Sequence, residues 1–283
     1  EGGRELGRAE LQGAVVTAHR PEDAAGAVGR AVSRAAERAG VSLPLRALWA
    51  GLAGAGATAP RAAVIEALRT LGLADRVVVG TDVEAAFHDA FGGGPGVMLI
   101  AGTGSIVWTR DAAGEERRVG GWGRMLGDEG SGYWIGLEGL RHVARAEDGR
   151  APPTSMRQRL LTRCGASSVD ELVAWVERAS KADVAALAPI VAECADAEDA
   201  GAAGVVDRAV GELRDLLRAA LDGLERGDGG GPDVVLWGGL VAERGPLAKR
   251  MTAALGSMGV TAHERPIDPP MGAARLALVT SPD

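Results

Sequence analysis

Hydroxyl and carboxylate side chains lie within three glycine-rich segments of the chain. They are Gly80-Thr81-Asp82, Gly102-Thr103-Gly104-Ser105, and a longer stretch that contains Gly120-Gly121-Trp122-Gly123 and Gly127-Asp128-Glu129-Gly130-Ser131-Gly132. Glycine lets a backbone approach a ligand closely and leaves its N–H groups accessible. This combination predicts a site that binds phosphate and hydroxyl groups.

The first two segments follow apolar runs that are typical of strands, at residues 76–79 and 97–101. Helical patterns at residues 22–39 and 62–71 alternate with strand patterns, which indicates α/β packing with parallel strands. Open sheets of this kind bind ligands at the ends of their strands. We therefore expect the polar residues of both segments to line a binding site.

The other elements are predicted from periodicity and from turn residues. They are a strand remnant at residues 10–16, a strand at 45–52, strands at 106–109 and 115–119, a helix at 132–146, several helices over 155–224, a strand at 233–237, a helix at 246–255, a short strand at 261–264 and a closing helix at 272–279. Pro95-Gly96 marks the entry to a new unit, so we place a domain boundary near Gly94.

Composition excludes several classes of protein. A length of 283 residues suggests two domains, and a net charge of −7 disfavours nucleic acid or an anionic membrane surface as a partner. The sequence contains no apolar run of about 20 residues, and its first residues lack the apolar region of a signal peptide, so we expect neither a membrane-spanning helix nor a signal peptide. Cys164 and Cys194 are too few for a disulfide framework and lack metal-ligand spacing. We expect a soluble cytoplasmic protein without a protein-held metal.

The chain resembles the N-acetylglucosamine kinase and BadF/BadG-type ATPase family, within the actin/hexokinase/Hsp70 superfold. The resemblance rests on Gly-Thr-Asp at 80–82, Ile-Ala-Gly-Thr-Gly-Ser at 100–105 and the stretch at 120–136, with weaker support at 236–240 and 271–277. It implies an α/β fold of two RNase H-like domains with a cleft between them, residues 1–94 and 95–283. A return of the last helix to the N-terminal domain is left open.

The resemblance implies phosphorylation of a sugar hydroxyl with ATP and Mg²⁺, on an amino sugar such as N-acetylglucosamine or glucosamine. It makes Asp82 the general base, Ser105, Gly121, Trp122, Gly123 and Asp128 the sugar side, and Gly102, Thr103, Gly104, Gly238 and Gly239 the ATP side. Two other functions stay open: an activator ATPase of acyl-CoA dehydratases or reductases, which needs an iron–sulfur cluster, and a non-catalytic sugar or nucleotide sensor. Both a monomer and a homodimer are left open.

Several of these residues also have a plainer interpretation. Thr81 and Glu84 match a helix capping box, so Asp82 could simply belong to the first turn of a helix at residues 82–91. The 102–105 segment could be a hairpin turn, Asp128 or Ser131 a helix cap, and Gly238-Gly239 a strand-terminating turn. Trp122 is as consistent with a core position as with a stacking face.

Two further observations concern the start of the chain and a competing motif. The chain begins Glu1-Gly2-Gly3-Arg4-Glu5, whereas the family opens with an Asp-Gly-Gly-x-Thr phosphate hairpin. We therefore expect an N-terminal truncation and a nearly inactive fragment. The segment at residues 54–59 mimics a dinucleotide fingerprint, but we interpret it as a decoy because the phosphate elements cluster elsewhere.

Overall fold

The computed structural model describes residues 4–11, 20–224, 232–263 and 265–279. Its elements in chain order are α1 (Pro21–Ala39), β1 (Leu45–Gly51), α2 (Thr58–Thr70), β2 (Ala74–Gly80), α3 (Asp82–Phe91), β3 (Gly96–Ala101), β4 (Ser105–Arg110), β5 (Glu116–Gly120), α4 (Gly132–Glu147), α5 (Met156–Cys164), α6 (Val169–Arg178), α7 (Lys181–Ala185), α8 (Ala188–Asp196), α9 (Ala200–Asp222), β6 (Val234–Trp237), α10 (Ala248–Ser257) and α11 (Pro269–Val279). The α/β class predicted from the sequence is confirmed.

The chain divides into two compact units. The first contains the residues up to Gly93 together with those from Pro266 onward, and the second runs from Gly94 to Arg265. Helix α11 packs against α3 and β1 and so belongs to the first unit. No helix within the described ranges combines the length and apolar character that crossing a membrane requires.

In the first unit, β1 and β2 form a parallel pair whose register joins Leu45 to Ala74 and Gly51 to Gly80. Helices α1 and α2 cover this pair, and Leu48, Val64 and Leu68 are buried between them. Because the strands are parallel, both carboxyl ends lie at one edge of the sheet. The turn at Gly80 that leads into α3 starts from this edge.

In the second unit, four strands form a mixed sheet in the order β5-β4-β3-β6. Strand β3 pairs antiparallel with β4 and parallel with β6, and Ala101 and Trp237 lie close to the carboxyl ends of the parallel pair. Helices α4 to α10 make up the rest of the unit. The core lies between the sheet and α9, where Val97, Leu99 and Leu213 are fully buried.

Two predicted strands differ from the structure. In place of a strand at 261–264, Ala262 forms a single parallel bridge with Val234, and His263 N donates to Val234 O at 2.8 Å. One bridge is too short a contact to make a strand; residue 264 lies outside the described ranges. Most of the predicted strand at 10–16 also lies outside them, and the described Glu10 and Leu11 are not in a strand.

Candidate functional site

In the first unit, Asp82 is the first residue of α3. Thr81 caps this helix: its Oγ1 accepts from Glu84 N at 3.1 Å, and Glu84 Oε2 accepts from Thr81 N at 2.8 Å. The turn before it requires glycine, because a β-carbon at Gly80 would collide with the Glu84 carboxylate and the Trp49 ring. The capping interpretation of Thr81 and Glu84 is therefore confirmed.

The Asp82 carboxylate is left free by this arrangement. Glu84 supplies the reciprocal cap, and its Oε1 lies 3.7 Å from Arg61 Nη2, whereas the Asp82 carboxylate makes no hydrogen bond or ion pair with any residue that the structure describes. Asp82 is also only half-buried. A carboxylate with unused lone pairs at a strand end can accept a proton or a hydroxyl group.

In the second unit, the 102–105 loop connects β3 to β4 and rests on the start of α4. Gly132 N donates to Gly102 O at 2.8 Å, and Tyr133 N donates to Thr103 O at 3.4 Å. The side chain of Thr103 is exposed, and neither its hydroxyl nor its amide has a partner within the described ranges; the same holds for the Gly104 amide. Free amides beside a free hydroxyl can bind phosphate oxygens.

Ser105 has a different environment from Thr103. Ser105 is 2% exposed, and its hydroxyl donates to Glu129 O at 2.7 Å. Gly121 N donates to Ser105 O at 3.1 Å. Ser105 therefore ties β4 to the 120–132 stretch, and its predicted contact with the sugar stays a prediction.

Asp128 has an unusual backbone and a buried side chain. Its φ is 62°, in the left-handed region that few residues other than glycine adopt, and the residue is 4% exposed. Oδ1 accepts from Ser105 N at 3.3 Å, and Oδ2 lies 2.7 Å from Lys181 Nζ. The helix cap that follows is Ser131, whose Oγ accepts from Trp134 N at 3.2 Å. Ser131 therefore caps α4, and the Asp128 carboxylate takes no part in capping this helix.

Lys181 is the polar residue of this site that sequence reasoning missed. It is the first residue of α7, where Ser180 and Asp183 form a capping box. No motif connects it to Asp128, which lies far away along the chain. The one feature of the sequence that could have drawn attention to it is the scarcity of lysine, because the chain contains only two lysines, Lys181 and Lys249.

The turn around Trp122 contains three glycines with positive φ, namely Gly120, Gly121 and Gly123. Trp122 is 63% exposed, which excludes the core alternative. The guanidinium carbon of Arg118 lies 4.6 Å from the centre of the Trp122 ring, a cation–π distance. One face of the ring is therefore occupied, and stacking on a sugar would use the other face.

The Gly238-Gly239 turn follows β6 and lies next to the 102–105 loop. Gly238 has φ 106°, and a β-carbon there would collide with the Ala101 carbonyl group. Leu240 N donates to Ala101 O at 3.1 Å, and a β-carbon at Gly102 would lie 4.0 Å from Gly239 N. The structure therefore brings the two predicted ATP-side segments together at one sheet edge. Gly239 is exposed, with open space around its α-carbon.

The chain is similar to known proteins in both sequence and fold. The model of the BadF/BadG/BcrA/BcrD ATPase family matches residues 1–277. A curated protein from Clostridium acetobutylicum, named N-acetylmuramic acid/N-acetylglucosamine kinase, is 32% identical over 147 residues, which are 51% of this chain and 48% of that protein. The N-acetyl-D-glucosamine kinase of Dictyostelium discoideum is 34% identical over 188 residues, 65% of this chain and 59% of that protein.

A solved structure shows the same fold. It is a Chromobacterium violaceum protein provisionally named as an N-acetylglucosamine kinase, with 27% identity and a TM-score of 0.74 over 94% of this chain and 88% of that one. The chain spans less than two thirds of the length of the two curated relatives. Since the family model covers nearly all of its residues, the chain belongs to the BadF/BadG/BcrA/BcrD ATPase family.

Proposed function

We propose that this protein is an ATP-dependent kinase that phosphorylates a hydroxyl group of an amino sugar such as N-acetylglucosamine or glucosamine. The observation that carries the proposal is the arrangement of the two loops that follow the carboxyl ends of β3 and β6 in the second unit. There the 102–105 loop, with its free Thr103 hydroxyl and free amides, adjoins the Gly238-Gly239 turn, and Asp128 lies directly behind the loop. The names of the two curated relatives support an amino sugar as the acceptor.

Each predicted residue has a role in this reaction. The sugar hydroxyl oxygen bonds to the γ-phosphorus, the bond between that phosphorus and ADP breaks, and Asp82 accepts the hydroxyl proton. The Thr103 hydroxyl and the free amides of Thr103 and Gly104 hold phosphate oxygens, and the turn at Gly238 and Gly239 leaves room for the nucleoside. Asp128 accepts hydrogen bonds from the sugar. Ser105, Gly121, Trp122 and Gly123 shape the same side of the site.

Mg²⁺ belongs to this proposal as the companion of ATP, where it supplies positive charge against the phosphate oxygens. Within the described ranges, no three His, Cys, Asp or Glu residues are grouped so that they could hold a metal ion. In this proposal the phosphate oxygens of ATP and water molecules hold the cation, and the Asp82 carboxylate stays free to take up the proton.

The test is a screen of sugars by coupled ADP release, with the full natural protein. N-acetylglucosamine, glucosamine, N-acetylmuramic acid and glucose are supplied in turn with Mg·ATP, and we expect ADP release to depend on an amino sugar and to yield its phosphate ester. ATP hydrolysis that no sugar changes would overturn the kinase and favour the activator ATPase. Sugar binding without any turnover would favour the sensor.

A further inference from the structure

We propose that Lys181 is a binding and positioning residue of the sugar site. Its ammonium group holds the Asp128 carboxylate in place, and the two groups together present one donor and one acceptor to adjacent hydroxyls of the sugar. The assignment of a sugar as ligand rests on the proposed function above. The ion pair itself rests on the distance of 2.7 Å between Lys181 Nζ and Asp128 Oδ2.

The charge of Asp128 requires a partner. Its side chain is 5% exposed, and apart from Lys181 its carboxylate contacts only Ser105 N, at a long 3.3 Å, among the described residues. A buried carboxylate without a compensating cation is strongly destabilising. No other basic residue of the described part of the chain pairs with Asp128. Lys181 therefore supplies the positive charge at this position.

The backbone of Lys181 is held close to Asp128 by packing between two helices. Helix α7 lies on a glycine face of α4, where a β-carbon at Gly136 would collide with Val184 O and one at Gly132 would lie 3.3 Å from Ala185. The 102–105 loop also leaves room for the pair, since a β-carbon at Gly104 would lie 2.6 Å from Asp128 Oδ1 and 2.9 Å from Lys181 Nζ. Three glycines thus make the ion pair possible.

The exposed fractions of the two side chains indicate which member of the ion pair is more accessible to a ligand. The Lys181 side chain is 36% exposed, whereas that of Asp128 is 5% exposed. An ammonium group has three N–H donors, and no described residue other than Asp128 pairs with Nζ. The remaining donors are available to a sugar hydroxyl oxygen, while an adjacent hydroxyl can donate to the carboxylate. This pairing suits two neighbouring hydroxyls and is poorly suited to a lone phosphate.

The first test compares Lys181→Met with Lys181→Arg and with Lys249→Met, a change of the other lysine, which is exposed on α10. We expect Lys181→Met to raise both the Kd and the KM for N-acetylglucosamine by about tenfold or more, while the nucleotide Kd stays within about twofold. Lys181→Arg restores most of the affinity, and Lys249→Met equals the wild type. A loss of sugar and nucleotide binding together, or no loss at all, would overturn the proposal.

A second measurement stays informative if Lys181→Met does not fold. Reductive methylation with ¹³C-formaldehyde labels both lysines, and the variant Lys249→Met assigns their signals. We expect Asp128→Asn and added N-acetylglucosamine each to shift the Lys181 methyl signal and to leave the Lys249 signal in place. A Lys181 signal that ignores Asp128→Asn overturns the ion pair. Wild-type protein that binds none of the screened sugars overturns the proposed function and the sugar contact but leaves the pair intact.

Discussion

Asp82 and Asp128 both lie close to the start of a helix, in segments that contain glycine. Their carboxylates nevertheless differ in burial and in the partners they contact. Asp82 begins α3 and is half-buried without a partner in the described residues. Asp128 precedes α4, has a left-handed backbone, and is buried against Lys181 and Ser105 N. The difference comes from the backbone conformation of each residue and from what packs against its side chain.

This contrast assigns different chemistry to the two residues. An unpaired carboxylate can take up a proton during a reaction, because no neighbouring cation competes for its lone pairs. A carboxylate held by an ammonium group is better suited to accept hydrogen bonds from a bound ligand in a fixed geometry. We therefore propose proton transfer for Asp82 and ligand binding for Asp128, and substitutions of these two residues test this division.

The largest effect is expected for Asp82→Asn. The amide keeps the shape of the side chain but cannot accept the proton, so kcat should fall by roughly 10²–10⁴-fold while the Kd of the sugar changes little. Glu84→Gln is the matched control, since it removes a charge from the same helical turn and keeps an oxygen for the cap. Steady-state kinetics measure kcat for both variants. A near-normal kcat in Asp82→Asn would show that this residue is not the general base.

The next largest effect is expected for Asp128→Ala. A hydrogen bond to a charged group contributes roughly 1.5–3 kcal/mol, so the sugar KM should rise by about 10- to 150-fold with little change in nucleotide affinity. Isothermal titration calorimetry with each ligand separates the two affinities. If nucleotide binding is lost and sugar binding is kept, Asp128 belongs to the phosphate side instead.

A smaller effect is expected at the proposed nucleotide turn, where alanine substitutions of two neighbouring glycines should have different consequences. Gly238→Ala should lower the free energy of unfolding by about 1–3 kcal/mol, because Gly238 has φ 106° and its β-carbon would meet Ala101 O. Gly239→Ala should fold normally, because its β-carbon meets no atom within 4 Å. We expect it to weaken ATP binding in a fluorescence titration. Unchanged ATP affinity in Gly239→Ala would argue against a nucleotide at this turn.

The smallest effect concerns a third carboxylate, Asp199, which caps α9 away from the proposed site. Burial raises its pKa, but hydrogen bonds from the Ala202 and Ser155 amides and from the Ser155 and Thr154 hydroxyls outweigh burial and hold the pKa below the ordinary value of 3.8. A lowered native pKa stabilises the fold above that ordinary value, and the stabilisation is lost as the pH falls through the native pKa.

We therefore expect Asp199→Ala to cost about 0.5–2 kcal/mol of unfolding free energy at neutral pH, with the cost shrinking in acid. Asp199→Asn keeps the capping oxygen and should lose less. Urea unfolding at several pH values measures both variants. A cost that stays constant from neutral to acidic pH would show that the charge of Asp199 contributes nothing.

Local sequence signals predicted most elements of the fold. The helix predicted at residues 22–39 is α1, with proline in its first turn and Gly40 in the left-handed conformation after its end. The capping box at Thr81 and Glu84 is present as its spacing predicts. Such signals are reliable because they depend on contacts between residues three or four positions apart. The strand predicted at 261–264 had no such local support.

The sequence by itself determined where the glycine turns and helix starts lie, since each depends on backbone conformation and near neighbours. Only the tertiary structure decided that the 102–105 loop adjoins the Gly238-Gly239 turn, which requires parallel pairing of β3 with β6. It alone placed Lys181 beside Asp128, through the close packing of α7 on α4. Contacts between distant segments depend on the packing of whole elements, and residue spacing along the chain carries no record of them.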